Sequence, residues 1–140
     1  MHHCPWTHSV KNVGEGPIEA IIFEQMARMP VKPMEGYVDA TVAAAEHYKL
    51  LSAAGPVRVV HMKLGPGQQD KKHSDYNETV FFLRGGTAKI HVGGAQIVDA
   101  EIPDGHLMHH GPWTHSVQNV RGHPIGAIIF EEVPAPAPAH

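Results

Sequence analysis

Short apolar runs alternate with turns rich in glycine, proline and aspartate along the second half of the chain. The run Ala88–Val92 alternates strictly between apolar and polar side chains, which is typical of a half-buried strand. The predicted strands are residues 57–64, 79–83, 88–92, 95–101, 115–120 and 125–130. Because such runs recur at roughly ten-residue spacing and only residues 43–51 favour a helix, the pattern predicts an all-β sandwich or barrel.

One segment of the sequence occurs twice, at residues 1–24 and again at residues 108–131. Only six of the 24 aligned positions differ, which leaves 18 identities. A repeat at a spacing close to the length of a small domain indicates an ancestor with two tandem domains, of which the chain keeps the last strands of the first and all of the second. We therefore expect remnant strands at 1–27, an irregular linker at 28–45, a barrel at 46–132 and a flexible Ala-Pro tail at 133–140.

The N-terminal copy contains two strand-like pieces, residues 8–13 and 18–24, which are too small to form a stable unit alone. As extra N-terminal strands they need a sheet to join, either an edge of their own barrel or the barrel of a second subunit. We expect a homodimer, and the sequence does not choose between the two arrangements.

Charge and composition exclude several classes of partner. The formal net charge is −3 and the few Lys and Arg residues are scattered, so the chain lacks the basic surface that nucleic acid requires. The longest apolar runs are of strand length, far too short to span a membrane. With Cys4 as the only cysteine and no signal-peptide pattern, we expect a cytoplasmic protein. Thirteen histidines among 140 residues are unusual and suggest a metal site.

Four side chains are candidate metal ligands: His73, Asp75, Glu78 and His115. His73 and Asp75 point to the same face of a strand, because side chains alternate with a period of two. Glu78 shares a face with Val80 and Phe82 after a local offset. His115 lies on a later strand, so His73, Glu78 and His115 could converge inside a barrel from two neighbouring strands. Two imidazoles with one or two carboxylates suit a divalent transition metal, whether iron, manganese, nickel, zinc or copper. Asp75 is either a ligand, a partner of a ligand or a solvated acid at the pocket mouth.

Around these ligands the sequence resembles the cupin superfamily, in particular its small single-domain, RmlC-like members. The first cupin motif, G-x5-H-x-H-x3,4-E-x6-G, is matched by Gly67, His73, Glu78 and Gly85. The stretch His115–Asn119 matches the end of the second motif. Asp75 stands where the family has its second histidine, which leaves Glu78 one residue closer than is usual. The family's Pro-x-Gly turn before the last ligand is replaced by Gly111-Pro112-Trp113.

The resemblance covers residues 46–132 and includes His47-Tyr48-Lys49 before the first core strand. It implies a double-stranded β-helix, a jelly-roll barrel, with metal bound inside near the open end. Cupins include oxygenases, isomerases, decarboxylases and lyases as well as binding proteins, so the fold does not select a reaction. We expect a metalloenzyme acting on a small oxygen-rich organic molecule; the alternative is a non-enzymatic binding module or a degenerate cupin. The candidate pocket residues are Val80, Phe82, His110, Trp113 and Asn119.

Overall fold

Nine β-strands and one short helix form the regular structure of residues 1–135, the part of the chain that the computed structural model describes. Helix α1 spans Ala40–Ala43. The strands are β1 (Tyr48–Ser52), β2 (Val57–Leu64), β3 (His73–Asp75), β4 (Glu78–Arg84), β5 (Gly86–Val92), β6 (Gln96–Ile102), β7 (Leu107–His110), β8 (Trp113–Asn119) and β9 (Ile125–Glu132). Within these residues no helix is long and apolar enough to cross a membrane. Residues 136–140, most of the predicted Ala-Pro tail, lie outside the described residues.

The strands form two antiparallel sheets that enclose one core. One sheet has five strands in the order β1-β2-β9-β4-β7, and the other has four strands in the order β3-β8-β5-β6. Strands β8 and β9 follow each other in sequence but lie in different sheets, so the chain crosses the barrel between them. This two-sheet jelly roll confirms the predicted all-β architecture.

Alternation of inward and outward side chains builds the core. In β9 every second side chain is buried, from Ile125 to Glu131, and the same alternation holds in β4 from Glu78 to Phe82. The apolar members of both strands join one hydrophobic cluster with residues of β2 and β5. Because Glu78 and Glu131 follow the same alternation, they too are buried, at 2% and 1% exposure. Both carboxyl groups therefore need partners inside the protein.

The six strands predicted from the sequence correspond to β2, β4, β5, β6, β8 and β9. The helix predicted at 43–51 is wrong, since α1 ends at Ala43 and β1 begins at Tyr48. The alanines and leucines of this segment favour a helix, but Tyr48 pairs with Met62 of β2 and is only 5% exposed. Pairing with a distant strand therefore overrides the local propensity.

The two N-terminal pieces predicted as strands, residues 8–13 and 18–24, form no strand in the described chain. Of the two arrangements left open by the sequence, addition to an edge of their own barrel is not the one seen, because the segment makes no ladder hydrogen bonds with a neighbouring strand. The segment contacts the barrel near its end, where Phe23 stacks on Phe130 with ring centroids 5.0 Å apart. Gln25 Nε2 also donates to Glu132 Oε1 at 2.9 Å. Pairing with a second subunit stays a prediction.

Part of the segment predicted as a linker, residues 28–45, packs into the barrel. Ala40 and Ala44 are 2% and 0% exposed and belong to the hydrophobic core. The backbone N–H of Ser74 in β3 donates to the carbonyl of Val38 at 2.7 Å. The packed unit therefore begins several residues before the predicted boundary at 46.

Arg58 of β2 connects this entering segment to β9. Its Nε donates to Glu131 Oε1 at 2.5 Å, its Nη1 to Asp39 Oδ2 at 2.8 Å and its Nη2 to the Tyr37 hydroxyl at 3.0 Å. Glu131 Oε2 also accepts the backbone N–H of Tyr76 at 2.7 Å. Burial would lower the pKa of Arg58, but the hydrogen bond to Asp39 and the charge of Glu131 raise it above its ordinary value. The guanidinium therefore stays charged and neutralises a buried carboxylate.

Candidate metal centre

Two neighbouring strands bring three of the candidate ligands together. β3 carries His73 and Asp75, whose side chains share a face because they are two residues apart. In the antiparallel register with β8, His73 lies opposite His115 and Asp75 lies opposite Trp113. Residues directly opposite on one face of a sheet are close neighbours. The register therefore places both imidazoles and the carboxylate on one patch of the barrel interior.

The polar atoms of these three side chains converge. His115 Nε2 is 3.1 Å from His73 Nε2 and 3.0 Å from Asp75 Oδ2. His73 Nε2 is 3.5 Å from the same Asp75 oxygen. The exposed fractions of His73, Asp75 and His115 are 1%, 4% and 5%, and their donor atoms lie within 4.8 Å of one another. This buried His-Asp-His group could hold a metal ion, because two imidazoles and one carboxylate form a recognised transition-metal ligand set.

The second ring nitrogen of His73 is held by the backbone. His73 Nδ1 lies 2.9 Å from the carbonyl oxygen of Lys71, so Nδ1 carries the proton that this oxygen accepts. The neutral imidazole then presents the lone pair of Nε2 to Asp75 and His115. Metal-binding histidines commonly donate their other N–H to such a carbonyl. The loop before β3 therefore fixes the tautomer that metal binding requires.

Burial and mutual charge shift the pKa values within the group. Burial alone would raise the pKa of Asp75, but hydrogen bonds from His115 and His73 outweigh it and lower this pKa to about 2. Burial would lower the pKa of His73, but the hydrogen bond to Asp75 and its charge raise this pKa to about 9. Without a metal at neutral pH, His73 is therefore protonated and Asp75 is ionised. A bound cation would replace that proton.

Glu78, the fourth predicted ligand, lies beside the His-Asp-His group and is not one of its three members. Its Oε1 accepts a hydrogen bond from Trp113 Nε1 at 2.9 Å. Burial, together with the charge of Asp75, raises the pKa of Glu78 to about 9. Glu78 is therefore a neutral carboxylic acid at neutral pH, next to the group that could hold the metal.

A cavity of about 150 Å³ adjoins the group. All four predicted ligands lie in its wall and form a polar end, whereas most of the remaining wall is apolar. Three of the predicted pocket residues, Val80, Phe82 and Trp113, line it. Other apolar lining residues include Met62, Ile90 and Ile129. The cavity can therefore surround a small molecule while one end presents titratable groups.

The structure places the other two predicted pocket residues, His110 and Asn119, outside the cavity lining. His110 stacks on the outer part of the site, with its ring centroid 3.7 Å from that of Trp113. Asn119 is fully buried and donates from Nδ2 to the carbonyls of Leu64 at 3.0 Å and His123 at 2.8 Å. His110 thus packs against an aromatic ring and Asn119 holds a turn, and a pocket role for either residue stays a prediction.

His73 is supported by Tyr48 and Asp70, which were not among the predicted site residues. The Tyr48 hydroxyl donates to Asp70 Oδ2 at 2.5 Å, and its ring lies 4.8 Å from the His73 ring. Asp70 Oδ1 accepts the backbone N–H of Val117 at 2.6 Å. Burial and the charge of Asp70 raise the pKa of Tyr48 well above its ordinary value, so the hydroxyl keeps its proton. The signal in the sequence was His47-Tyr48-Lys49, to which the resemblance assigned no role.

Comparison with known proteins relates this geometry to a fold. No protein-family model matches the sequence, and no curated protein matches it. Among solved structures, a cupin domain from Bordetella pertussis Tohama I is similar at a TM-score of 0.57 and 15% identity, over 61% of this chain and 91% of that chain. An uncharacterized conserved protein with a double-stranded β-helix domain from Klebsiella pneumoniae is similar at a TM-score of 0.51 and 16% identity, over 78% and 90% of the two chains.

A cupin 2 conserved barrel domain protein from Salinispora arenicola gives a TM-score of 0.50 at 13% identity, over 76% of this chain and 91% of that chain. At such identities the similarity is one of fold, and a shared fold does not by itself carry a shared activity. The tandem ancestry inferred from the sequence repeat stays a prediction. The chain has the all-β, two-sheet jelly roll of the cupins, a double-stranded β-helix with a buried His-Asp-His group inside it.

Proposed function

We propose that this protein is a small metalloenzyme in which His73, Asp75 and His115 hold a divalent transition metal. The observation that carries the proposal is the convergence of two imidazole nitrogens and one carboxylate oxygen at the polar end of an apolar cavity. When bound there, iron, manganese, nickel, zinc or copper would supply a Lewis acid or an oxygen-activating centre. Three protein ligands leave coordination positions for a substrate.

The surrounding residues prepare the site for such a role. The carbonyl of Lys71 orients His73, and the Tyr48–Asp70 pair packs behind the same ring. In the metal-free protein Glu78 faces the cavity with a proton at neutral pH. A cation bound beside it would lower its pKa, so Glu78 is placed to pass that proton to a substrate oxygen. The apolar wall excludes water, which strengthens charge interactions at the polar end.

The cavity indicates the size and chemistry of the substrate. A volume of about 150 Å³ is enough for a molecule of about six non-hydrogen atoms. Its carbon atoms would contact the apolar wall, and its carboxylate, hydroxyl or carbonyl oxygens would lie at the polar end near Glu78 and His115. A small organic acid or hydroxy-carbonyl compound has this distribution of polar and apolar atoms. We therefore propose a small oxygen-rich organic molecule as the substrate.

Metal analysis tests the proposal. Protein purified without a metal column should contain close to one equivalent of a transition metal, and H73A and D75N should lose it while keeping the far-UV circular dichroism of the barrel. These two positions are chosen because both lie outside the repeated segment. The matched control is H109A, since His109 is exposed and its ring contacts the Thr79 hydroxyl. Undiminished metal in both site variants, or equal loss in H109A, would refute the assignment.

A metal-free binding module is the second candidate, and one observation favours it. The three side chains already lie within hydrogen-bond distance of one another, since His115 Nε2 lies 3.0 Å from Asp75 Oδ2 and 3.1 Å from His73 Nε2. These contacts can hold the side chains together without a cation, although His115 Nδ1 is buried without a partner. Titration of the purified protein with each divalent metal separates the two candidates. No uptake, combined with binding of a small carboxylate, would favour the binding module.

A further inference from the structure

We infer that residues 1–24 and residues 108–131 are alternative occupants of one position in the barrel, here called the barrel slot. In the structure the slot holds residues 108–131, with β8 between β3 and β5 and β9 between β2 and β4. The N-terminal copy lies outside it and is exposed along almost its whole length. This inference depends on the fold alone and does not require a bound metal.

The two copies agree wherever the slot buries a side chain. Seven residues of 108–131 are buried in the barrel, and each is identical in the N-terminal copy. The buried residues are His115, Ser116, Asn119, Ile125, Ala127, Ile129 and Glu131, and their counterparts are His8, Ser9, Asn12, Ile18, Ala20, Ile22 and Glu24. The six differences all fall on half-buried or exposed positions. The N-terminal copy therefore has every inward-facing side chain that the slot requires.

The three differences that add a side chain also fit the slot. Cys4, Glu15 and Glu19 correspond to glycines 111, 122 and 126. A Cβ atom built at Gly111 or Gly126 would have its nearest neighbour at 3.9 Å. A Cβ atom built at Gly122 would have no atom within 4 Å. Contacts of 3.9 Å are ordinary van der Waals distances. The barrel therefore has room for the first side-chain atom at each of these positions, all of which are half-buried or exposed.

The N-terminal copy already has the local shape of the slot's occupant at two turns. Asn12 Oδ1 accepts the backbone N–H of Gly14 at 2.9 Å, and Asn12 Nδ2 donates to the carbonyl of Gly16 at 2.7 Å. The same two bonds form in the C-terminal copy, from Arg121 N–H to Asn119 at 3.0 Å and from Asn119 to the carbonyl of His123 at 2.8 Å. The connection between β8 and β9 is therefore preformed in the exposed copy.

The second matching turn is the one that precedes β8. His3 stacks on Trp6 with ring centroids 3.6 Å apart and an interplanar angle of 23°. Their counterparts, His110 and Trp113, stack at 3.7 Å and 23°. A preformed segment loses less conformational entropy when it docks. The apolar side chains of Ile18 and Ile22, which are 69% and 84% exposed, would become buried on docking, and that of Val10, 78% exposed, would become partly buried.

The connection to the barrel indicates that the exchange occurs within one chain. The end of the N-terminal copy already lies beside the end of β9, because Phe23 stacks on its own counterpart Phe130. Gln25 in turn donates to its counterpart Glu132 at 2.9 Å. The N-terminal copy can therefore enter the slot in the correct direction while residues 25–37 keep their place. After the exchange, His8 would stand where His115 stands now.

The differing positions explain why the C-terminal copy holds the slot in the structure. Arg121 Nε donates to Thr87 Oγ1 at 2.8 Å, and Arg121 Nη2 lies 3.8 Å from Glu101. Gly14, the counterpart of Arg121, cannot make these contacts. Both contacts are on the surface, where such pairs stabilise a fold only slightly. These contacts therefore favour the C-terminal copy by only a small amount.

A buried charge in one copy at a time tests the exchange. Ala127 is 0% exposed in β9, whereas its counterpart Ala20 is exposed. We expect A127D to keep a cooperative unfolding transition as a monomer, because the N-terminal copy takes the slot, and the double variant A20D/A127D to lose that transition. A20D alone should unfold like the wild type. If A127D loses the cooperative unfolding transition as fully as the double variant does, the inference is overturned. It is also overturned if the transition of A127D appears only at high protein concentration, since this would indicate exchange between chains.

A disulfide trap tests the exchange in a chain whose C-terminal copy is intact. Docking would place Cys4 at the position of Gly111, where a Cβ lies 3.9 Å from Asn77 Oδ1. In N77C, oxidation should therefore link the two cysteines within one chain. The bond should form about tenfold faster than in N77C/A20D, because docking raises the effective concentration of the thiols. Equal rates in the two variants, measured by non-reducing electrophoresis and mass spectrometry, would overturn the inference.

Discussion

Arg58→Met should destabilise the barrel strongly, because it removes the cation beside a buried carboxylate. The Glu131 side chain is 1% exposed and that of Arg58 is 12% exposed. Arg58 Nε donates to Glu131 Oε1 at 2.5 Å, and its Nη1 donates to Asp39 at 2.8 Å. Methionine retains much of the apolar stem of arginine but none of its charge. The substitution therefore tests the ion pair with little change in packing.

The size of the effect follows from what remains around Glu131. Removing one partner of a buried ion pair costs about 3–5 kcal/mol. The backbone N–H of Tyr76 at 2.7 Å and the hydroxyl of Tyr37 at 3.2 Å still donate to the carboxylate. We therefore expect the lower end of that range, about 3 kcal/mol in the free energy of unfolding. At about 3 °C per kcal/mol for a domain of this size, Tm should fall by roughly 10 °C.

Urea unfolding followed by far-UV circular dichroism measures this change. The matched control is Lys89→Met, which breaks an exposed ion pair with Asp99 of similar length, 2.7 Å. The control should cost less than about 1 kcal/mol, because solvent screens such pairs. Adding Glu131→Gln to Arg58→Met should recover part of the loss, since the buried group is then neutral. A loss below about 1 kcal/mol in Arg58→Met would refute the role given to this pair.

Three further predictions concern the site and one turn. Metal-free protein should lose stability as the pH rises to about 9, because folding raises the pKa of Glu78 from 4.5 and that of His73 from 6.5 to about 9; the loss begins near pH 4.5 through Glu78 and steepens above pH 6.5, where His73 adds to it. It should also lose stability as the pH falls from 3.8 to about 2, where Asp75 takes up its proton. Urea unfolding of chelated protein at each pH measures this, and a flat profile above pH 6.5 would contradict it. Saturating metal at about 100 times its Kd should add about 2.7 kcal/mol of stability in calorimetry, and an unchanged transition would count against binding to the folded state. Gly85→Ala should cost about 1–3 kcal/mol, because a methyl group would meet the backbone carbonyl at the end of β6. Gly93→Ala, with no atom within 4 Å, should change stability by less than about 0.5 kcal/mol, so equal effects in thermal unfolding would disprove the reasoning.

Most strands could be predicted from the sequence because their alternation is local. The same local reasoning failed at residues 43–51, where the alanines favour a helix but Tyr48 pairs with Met62 of β2. It also failed at the N-terminal copy. Residues 8–13 and 18–24 resemble β8 and β9 almost residue for residue, yet they form no strand. A strand needs neighbours to bond to, so the same sequence can be a strand in one place and an unpaired segment in another.

Motif spacing and the period-two alternation of strands predicted part of the site. They indicated that His73, Glu78 and His115 converge, with Asp75 on the face of His73 in an open role. The register of β3 and β8 instead groups His73, Asp75 and His115, and Glu78 lies beside them. The Tyr48–Asp70 support was not predictable in this way, because a residue of β1 meets a residue of the loop before β3 only in the folded chain. Trp113 and Glu78 are linked across the barrel for the same reason, and sequence spacing does not encode that contact.

Trp113 gives this protein a built-in optical probe of its own centre. Its indole N–H donates to Glu78, and its ring lies 3.9 Å from the ring of His115. Indole emission responds to nearby charge and to paramagnetic ions, so arrival of a cation between the histidines would change its brightness. The chain has one other tryptophan, Trp6, which is 53% exposed and can be replaced by phenylalanine. The rate of cation binding at the site can then be measured in a stopped-flow fluorimeter, and this needs neither a label nor a known substrate.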